Sequence, residues 1–197
     1  MKKLGLFLFL ALMLGVVSGS AMAQAPVGDG SDYFVTYYAN ATVGGAPDAV
    51  VRVINDGDTG AALWASYYVF DDSQELQECC SCFVSPDGIN SEDLNKDLLG
   101  NVLTGKATTK GVIKVISSST NPGDPTNNKP AAGLRGFATH IQRATPTTGA
   151  FYVTEAPLAD SNLASTEQTY LQELCQFAII LGSGRGTCSC TPEDNDF

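Results

Sequence analysis

The sequence is short of charge, and above all of positive charge. Charged residues make up 16% of its 197 positions, and 11 lysines and arginines are set against 21 aspartates and glutamates, for a net charge of −10. An acidic surface repels nucleic acid and anionic membranes, so we expect neither as a partner. Because 44% of the residues are hydrophobic, an intrinsically disordered chain is also excluded.

Histidine and the motifs of common catalytic sites are almost absent. The single histidine, His140, has no Gly-x-Ser-x-Gly motif to accompany it, and we interpret it as an ordinary strand residue. Acidic turns at residues 55–58 and at Asp71 and Asp72 hold oxygen ligands that suit calcium, but neither matches the twelve-residue calcium loop, and turn chemistry explains them as well. The sequence therefore predicts a protein that is not an enzyme, with no cofactor and no catalytic, cofactor-binding or metal-binding residue.

A long hydrophobic run occurs only once, at the N-terminus. Two lysines precede an apolar run over residues 4–17, and an Ala-Met-Ala tripeptide ending at Ala23 has the small-x-small pattern of a cleavage site. This predicts a signal peptide at residues 1–23, cut between Ala23 and Gln24. The run is shorter than the ~20 residues of a membrane span, and no cysteine follows the cut to carry a lipid. We expect an exported product, periplasmic or extracellular, with no membrane insertion after cleavage.

The remaining sequence predicts one all-β domain at residues 24–191. Runs rich in aromatic and β-branched residues, such as residues 33–38 and 63–70, fit a pleated, half-buried surface. Residues 63–70 are apolar on both faces, which predicts a central strand, and residues 49–55 are expected to form a hairpin with it. Seven or so strands and one late helix favour an antiparallel β-sandwich, immunoglobulin-like or similar. An acidic, flexible tail follows at residues 192–197.

The late helix has start and stop signals of its own. Ser165 and Gln168 have the spacing of a capping box, and Gly182 suits a helix end. Between two predicted strands, at residues 111–118 and 134–142, lies a long segment, residues 119–133, which is rich in proline, asparagine and glycine and is predicted to be an exposed loop. An apolar stripe predicts that one helix face packs on the sheet. The stripe consists of Leu171, Leu174, Cys175, Ala178 and Ile179.

Six cysteines fall into two groups, three in the middle of the chain and three near its end. In an oxidising compartment such groups form disulfides. On a strand, alternate residues share a face, so Cys80 and Cys82 are expected to point together and Cys79 away from them. If the segment around Cys188 pairs with the segment around Cys80, cross-strand bridges become geometrically possible. The resulting hypothesis is Cys80–Cys190, Cys82–Cys188 and Cys79–Cys175.

Two other interpretations of the cysteines remain open. A thiolate metal site and a thiol-exchange pair both use the Cys-x-x-Cys spacing that Cys79 and Cys82 have. No second pair of this spacing completes a four-thiolate site, and no βαβ pattern accompanies the first. Structural disulfides are therefore the favoured interpretation.

Aromatic residues are dense in the first half of the chain. They either line a carbohydrate- or protein-binding face, because tyrosine and tryptophan combine apolar area with a polar group, or fill the core. The N-terminal strand could also add to the sheet edge of a neighbouring molecule, which leaves self-association open. The aromatic residues are Tyr33, Phe34, Tyr37, Tyr38, Trp64, Tyr67, Tyr68 and Phe70.

Four segments carry a recognisable pattern. They are Tyr68-Val-Phe-Asp with Glu75-Leu-Gln-Glu-Cys-Cys-Ser-Cys, Gly111-Val-Ile-Lys-Val-Ile-Ser-Ser-Ser, Phe151-Tyr-Val-Thr-Glu-Ala-Pro, and Leu181-Gly-Ser-Gly-Arg-Gly-Thr-Cys-Ser-Cys. In these segments the chain resembles a group of uncharacterised exported proteins from environmental bacteria, which share the Cys-Cys-x-Cys and late Cys-x-Cys pattern. The resemblance implies export and a shared β-rich fold, and no activity.

We therefore expect an exported structural or binding protein of the cell envelope or extracellular space. Its partner would be an unknown protein or glycan. The alternatives are a carbohydrate-binding module that uses an aromatic sheet face, and a thiolate metal-binding protein.

Overall fold

The computed structural model describes residues 31–144 and 149–190. The predicted signal peptide, its cleavage site between Ala23 and Gln24, and the predicted tail at residues 192–197 lie outside the described residues. The elements of the described chain are β1 (Tyr33–Ala39), β2 (Val50–Asn55), β3 (Leu63–Asp71), β4 (Leu76–Val84), β5 (Ile89–Asp93), a π-helical turn (Leu94–Leu98), β6 (Lys110–Ser118), β7 (Leu134–Arg143), β8 (Phe151–Pro157), β9 (Ala159–Asp160) and helix α1 (Ser165–Ile180).

These strands form two sheets. One has five strands in the order β4-β3-β6-β1-β9, and the other has four in the order β5-β2-β7-β8. Every strand pair within them is antiparallel. The predicted antiparallel β-sandwich with one C-terminal helix is confirmed.

Strand β3 is central, as predicted, and both of its faces are buried. Tyr67 and Tyr68 point to opposite faces of the sheet, and neither is exposed. Tyr67 packs in the core between the two sheets, whereas Tyr68 packs in a second core that includes Leu171 and Cys175 of helix α1. The molecule therefore has three layers, with a helix on the outer face of the larger sheet.

The predicted hairpin between β2 and β3 is wrong. β2 pairs with β5 and β7, and β3 pairs with β4 and β6, so the turn at residues 56–62 carries the chain from one sheet to the other. Asn55 holds this corner, because its side-chain amide donates hydrogen bonds to the carbonyls of Ala61 (2.9 Å) and Val84 (3.2 Å). A polar turn between two apolar strands can join them as a hairpin in one sheet or carry the chain between two sheets. β3 is buried on both faces because the larger sheet is covered by the smaller sheet on one side and by helix α1 on the other.

The long loop at residues 119–133 is not simply exposed. Asn128, near its middle, is 3% exposed and donates a hydrogen bond to the Tyr68 hydroxyl. The carbonyl of Asn128 accepts hydrogen bonds from the side chains of Gln168 (3.0 Å) and Gln172 (3.1 Å) on helix α1. These bonds fix the loop between sheet and helix, where it covers the outer end of Tyr68.

Helix α1 starts without the predicted cap. Its N-cap residue is Ala164, and no side chain caps the first turn, so the capping box of Ser165 and Gln168 is wrong. Gln168 bonds to the loop instead. The predicted stop is confirmed, because Gly182 adopts a φ of 62° and its N–H donates to the carbonyl of Ile179 at 3.1 Å.

Candidate functional site

β4 pairs with β3 along one edge, and the C-terminal segment, which we define as residues 182–190, covers its other edge. The N–H of Cys79 donates to the carbonyl of Gly186 (2.9 Å), and the N–H of Cys188 donates to the carbonyl of Cys79 (3.3 Å). This is a parallel bridge between Cys79 and Thr187. It gives an otherwise unpaired edge its backbone hydrogen bonds.

Three disulfides fasten the same region, and they take up all six cysteines. Their Cα–Cα distances are 5.9 Å for the first and 5.3 Å for the other two, within the usual range for disulfides. The expected contrast of faces is confirmed, since Cys79 lies in the helix-side core and Cys80 and Cys82 lie in the inter-sheet core. The bonded pairs are Cys79–Cys175, Cys80–Cys188 and Cys82–Cys190.

Two of the three hypothesised pairings are therefore wrong, Cys80–Cys190 and Cys82–Cys188. They would require the C-terminal segment to run antiparallel to β4, so that the two Cys-x-Cys sequences meet head to tail. The segment runs parallel, so each cysteine of the first sequence meets its counterpart in the second. The hypothesised Cys79–Cys175 bridge is confirmed.

The turn and loop after β5 clamp the other side of the C-terminal segment. The Asn101 carbonyl accepts a hydrogen bond from the N–H of Gly186 (2.8 Å), and the Asn101 side-chain amide donates to the carbonyl of Gly184 (2.8 Å). The N–H of Ser189 donates to the carbonyl of Asp97 (3.1 Å). The segment is thus held by backbone hydrogen bonds on both sides as well as by sulfur.

Glu78 is the residue of this site that the sequence reasoning missed. Its side chain is fully buried, and Oε1 accepts a hydrogen bond from the N–H of Asn101 at 2.6 Å. Oε2 is buried and has no hydrogen-bond partner. Burial raises the pKa of this carboxyl from 4.5 to about 7. The only sequence signal was its position two residues before Cys80, on the same face of a buried strand.

Sulfur atoms lie close together at this edge. The Sγ atoms of Cys80 and Cys82 are 3.8 Å apart, and those of Cys80, Cys82 and Cys190 all lie within 4.8 Å of one another. This spacing would suit a metal ion if the sulfurs were thiolates. Each of them is bonded in a disulfide, which indicates maturation in an oxidising environment.

His140 lies on β7, as predicted, and is 8% exposed. Its ring stacks on Tyr37 with the ring centroids 4.3 Å apart, and its Nδ1 atom has no hydrogen-bond partner. Burial lowers the pKa of the imidazole, which favours the neutral form. These contacts are those of a packed aromatic side chain.

The acidic turns considered for calcium use their oxygens within the protein. Asp56 accepts a hydrogen bond from the N–H of Asp58 (3.2 Å) and forms an ion pair with Arg135. Asp71 accepts from the N–H groups of Ser73 (2.8 Å) and Glu75 (2.9 Å). These are the bonds that tight turns make, so the turn interpretation accounts for both clusters.

Most of the predicted aromatic face is interior. Six of its eight residues are at most 5% exposed, and they divide between the two cores. Tyr37 is 50% exposed, and Trp64 is partly buried and packs edge-on against Phe83. The buried six are Tyr33, Phe34, Tyr38, Tyr67, Tyr68 and Phe70.

The apolar stripe of helix α1 is buried only in part. Leu171, Cys175 and Ala178 are buried, as predicted, but Ile179 is 50% exposed. Near the C-terminal end of the helix, several large apolar side chains are exposed to solvent. These are Phe177, Ile179, Ile180 and Leu181.

No family model matches the chain, and searches of curated proteins and of solved structures also return no match. Of the resemblance to exported bacterial proteins, the structure supports the disulfide pattern of the two cysteine groups. Within residues 31–144 and 149–190, no helix combines the length and the hydrophobicity needed to cross a bilayer.

Proposed function

We propose that this is an exported structural or binding protein of the bacterial cell envelope or extracellular space, which acts by contact and not by catalysis. The observation that carries the proposal is the disulfide-locked C-terminal segment. Three bridges join β4 to sequence about 100 residues later, with separations of 96, 108 and 108. Bridges of this kind persist outside the cytoplasm.

The bridges hold a segment that has little apolar surface with which to anchor itself. The C-terminal segment has few large apolar side chains to bury, and the sequence from Gly182 to Gly186 contains three glycines. Such a segment frays easily unless it is tied down. Covalent bonds compensate for the missing apolar contacts, as they do in many secreted domains.

Export and oxidation can be tested together by expressing the full chain in a bacterium and fractionating the cells. We expect the product outside the cytoplasm, with residues 1–23 removed and the mass of a chain that has lost six hydrogens to three disulfides. A matched control without residues 2–23 should stay in the cytoplasm with free thiols. Recovery of the full chain in the cytoplasm with six thiols would contradict the proposal.

Contact with the envelope can be tested on the same cells. A structural or binding protein of the envelope should sediment with washed cells or peptidoglycan-containing fragments and bind them saturably when added back. The disulfide-reduced protein is the control for a folded binding surface. Full recovery in the culture medium with no saturable binding would restrict the role to the extracellular space.

One observation favours a second function, a thiolate metal-binding protein. Three sulfur atoms already lie within 4.8 Å of one another, and opening Cys80–Cys188 and Cys82–Cys190 would supply four thiols. Zinc titration of the reduced protein against a chromophoric chelator tests it, with Cys80→Ser/Cys82→Ser as the control. Stoichiometric zinc that prevents reoxidation would favour the metal protein. Reformation of three disulfides in the presence of zinc would favour the structural one.

The carbohydrate-binding alternative has less support from the geometry. Stacking against sugars requires aromatic rings that solvent can reach, and most of the rings considered for it lie in the cores. Tyr37 and Tyr152, 50% and 64% exposed, are available. A glycan-array signal lost in Tyr37→Ala and Tyr152→Ala would revive this alternative.

A further inference from the structure

The four sheet edges of the described chain are protected unequally. β4 is covered by the C-terminal segment, and β9 has only two residues. β5 has five residues and carries the acids Glu92 and Asp93, which discourage strand pairing. β8 has seven residues, pairs with β7 on one side, and pairs with no other strand in the described part of the chain. It is the long, open edge among the strands that the structure describes.

The hydrogen-bonding groups on the open side of β8 can be assigned from its pairing. The carbonyl of Ala150 accepts from Ala144, and the N–H of Leu158 donates to Gly136, so the even-numbered residues of β8 bond to β7. In an antiparallel pair the intervening residues direct their N–H and carbonyl groups the other way. The outward residues are Phe151, Val153, Glu155 and Pro157.

Proline at one of these positions is consistent with an edge strand. Pro157 has no N–H to donate, and edge strands tolerate proline where that N–H would face solvent. Three N–H groups therefore remain to pair with another strand, those of Phe151, Val153 and Glu155. All three lie on the N-terminal five residues of β8.

The side chains of β8 are exposed on both faces of the strand. Tyr152 and Val153 point to opposite faces and are 64% and 54% exposed, so both faces of β8 are open to solvent in its middle, although Phe151 packs against the inter-sheet core. The one charge on the strand, Glu155, is paired with Arg52 at 2.7 Å. In a chain with a net charge of −10, this is a local surface without excess negative charge.

We propose that β8 is a docking strand for β8 of a second copy of this chain, joined antiparallel across a twofold axis at Val153. The two four-stranded sheets would then form one continuous sheet of eight strands. The inference rests on the proposed role as a structural or binding protein and names its partner as a second copy of the chain.

The register follows from the donors and the charges. Centring the pair on Val153 places Phe151 of each copy opposite Glu155 of the other, so all three outward N–H groups of each strand find carbonyls. Pro157 then falls outside the paired core. The two Glu155 carboxylates are four residues from direct opposition, which avoids the repulsion that like charges cause across a strand pair.

A second copy fits this edge better than an unrelated peptide because a twofold contact satisfies both open edges at once and closes the assembly. One strand pair buries less than about 1,200 Å² in total, which is typical of weak, transient interfaces. We therefore expect association that depends on concentration. Because both copies are acidic, added salt should strengthen it.

Sedimentation velocity of the exported, oxidised protein over a wide concentration range tests the inference. We expect a monomer–dimer equilibrium that shifts towards dimer with salt. Val153→Pro removes the central outward N–H of each copy without touching a bond to β7, and should weaken dimerisation by about tenfold or more. Val153→Thr keeps the N–H and the β-branched shape, and should dimerise like the parent protein.

Val153→Lys is the second disrupting variant, in case proline unfolds the hairpin. It places two ammonium groups opposite each other on the axis and should also leave monomer. Circular dichroism and the melting temperature verify that each variant is folded. A parent protein that is monomeric at every concentration and salt, or folded proline and lysine variants that dimerise like the parent, would overturn the inference. Either outcome leaves the export and disulfide tests untouched.

Discussion

The two long outer strands of this molecule, β4 and β8, have opposite surroundings. β4 has backbone hydrogen bonds on both sides and three cysteines in disulfides, and Glu78 is buried within it. β8 has a partner on one side, no cysteine, and four consecutive exposed residues. All three disulfides are made by β4 and none by β8. The comparison suggests that the closed edge maintains the fold and the open edge is left for contact.

The largest expected effect comes from unlocking the closed edge. The variant Cys80→Ser/Cys82→Ser/Cys188→Ser/Cys190→Ser keeps Cys79–Cys175 but leaves the chain after Cys175, including the C-terminal segment, without a disulfide. That frees a stretch of roughly 15 residues, so we expect the free energy of unfolding to fall by about 3 kcal/mol in urea denaturation.

The two single-bridge variants are the matched controls for this measurement. Cys80→Ser/Cys188→Ser and Cys82→Ser/Cys190→Ser each leave one disulfide between β4 and the C-terminal segment, and that disulfide still closes most of the stretch after Cys175. Each should therefore cost less than the four-serine variant. A four-serine variant as stable as the parent would show that the bridges do not hold this edge, and the comparison with β8 would lose its basis.

The next largest effect concerns Glu78. Its folded-state pKa is raised from 4.5 to about 7, so the folded state binds the proton more tightly than the unfolded state. The contribution to stability is complete below pH 4.5, is lost as pH rises to about 7, and is constant above that. The free energy of unfolding is therefore expected to fall by about 3 kcal/mol across this pH range because of Glu78. Glu78→Gln should lose this pH dependence.

Denaturation at several pH values between 4 and 8 measures this fall for parent and variant. The difference between them isolates Glu78, because His140 contributes to both with the opposite sign. The pKa of His140 is lowered by burial, so its contribution is complete above pH 6.5 and is lost as pH falls from 6.5 towards the lower pKa of the folded state. Identical pH profiles for parent and Glu78→Gln would mean that water reaches the Glu78 carboxylate and that the edge of β4 under the C-terminal segment is not shielded from solvent.

The smallest effect is expected at the open edge. The Arg52–Glu155 ion pair joins side chains that are 36% and 49% exposed, and such surface pairs contribute about 0 to 1 kcal/mol. Arg52→Ala should therefore change the melting temperature little, while it exposes an unpaired Glu155 on β8. A loss comparable to that of the four-serine variant would show that β8 is part of the stabilising framework.

The sequence predicted the features that depend on alternation along one strand. The two apolar faces of residues 63–70 predicted a central strand, and the spacing of Cys79, Cys80 and Cys82 predicted which sulfurs share a face. Both follow from the period of two that any strand imposes. The signal from Gly182 was equally local, since it depends on a single φ angle.

What the sequence could not predict depends on how separate segments meet. The direction of the C-terminal segment against β4 decided two disulfides, and nothing in Cys188-Ser189-Cys190 distinguishes parallel from antiparallel pairing. The hairpin assigned to β2 and β3 failed for the same reason. Glu78 escaped notice because its burial depends on Asn101, which lies on a loop more than twenty positions away.

The central claim, that the C-terminal segment runs parallel to β4 and locks it, can be tested most directly by locating one free thiol. In exported Cys80→Ser, the account predicts that the unpaired cysteine is Cys188. Because Cys188 is buried, the protein is alkylated after unfolding without reductant; reduction, a second label and tandem mass spectrometry then distinguish Cys188 from Cys190. Label at Cys188 is the predicted result, and label at Cys190 would contradict the account.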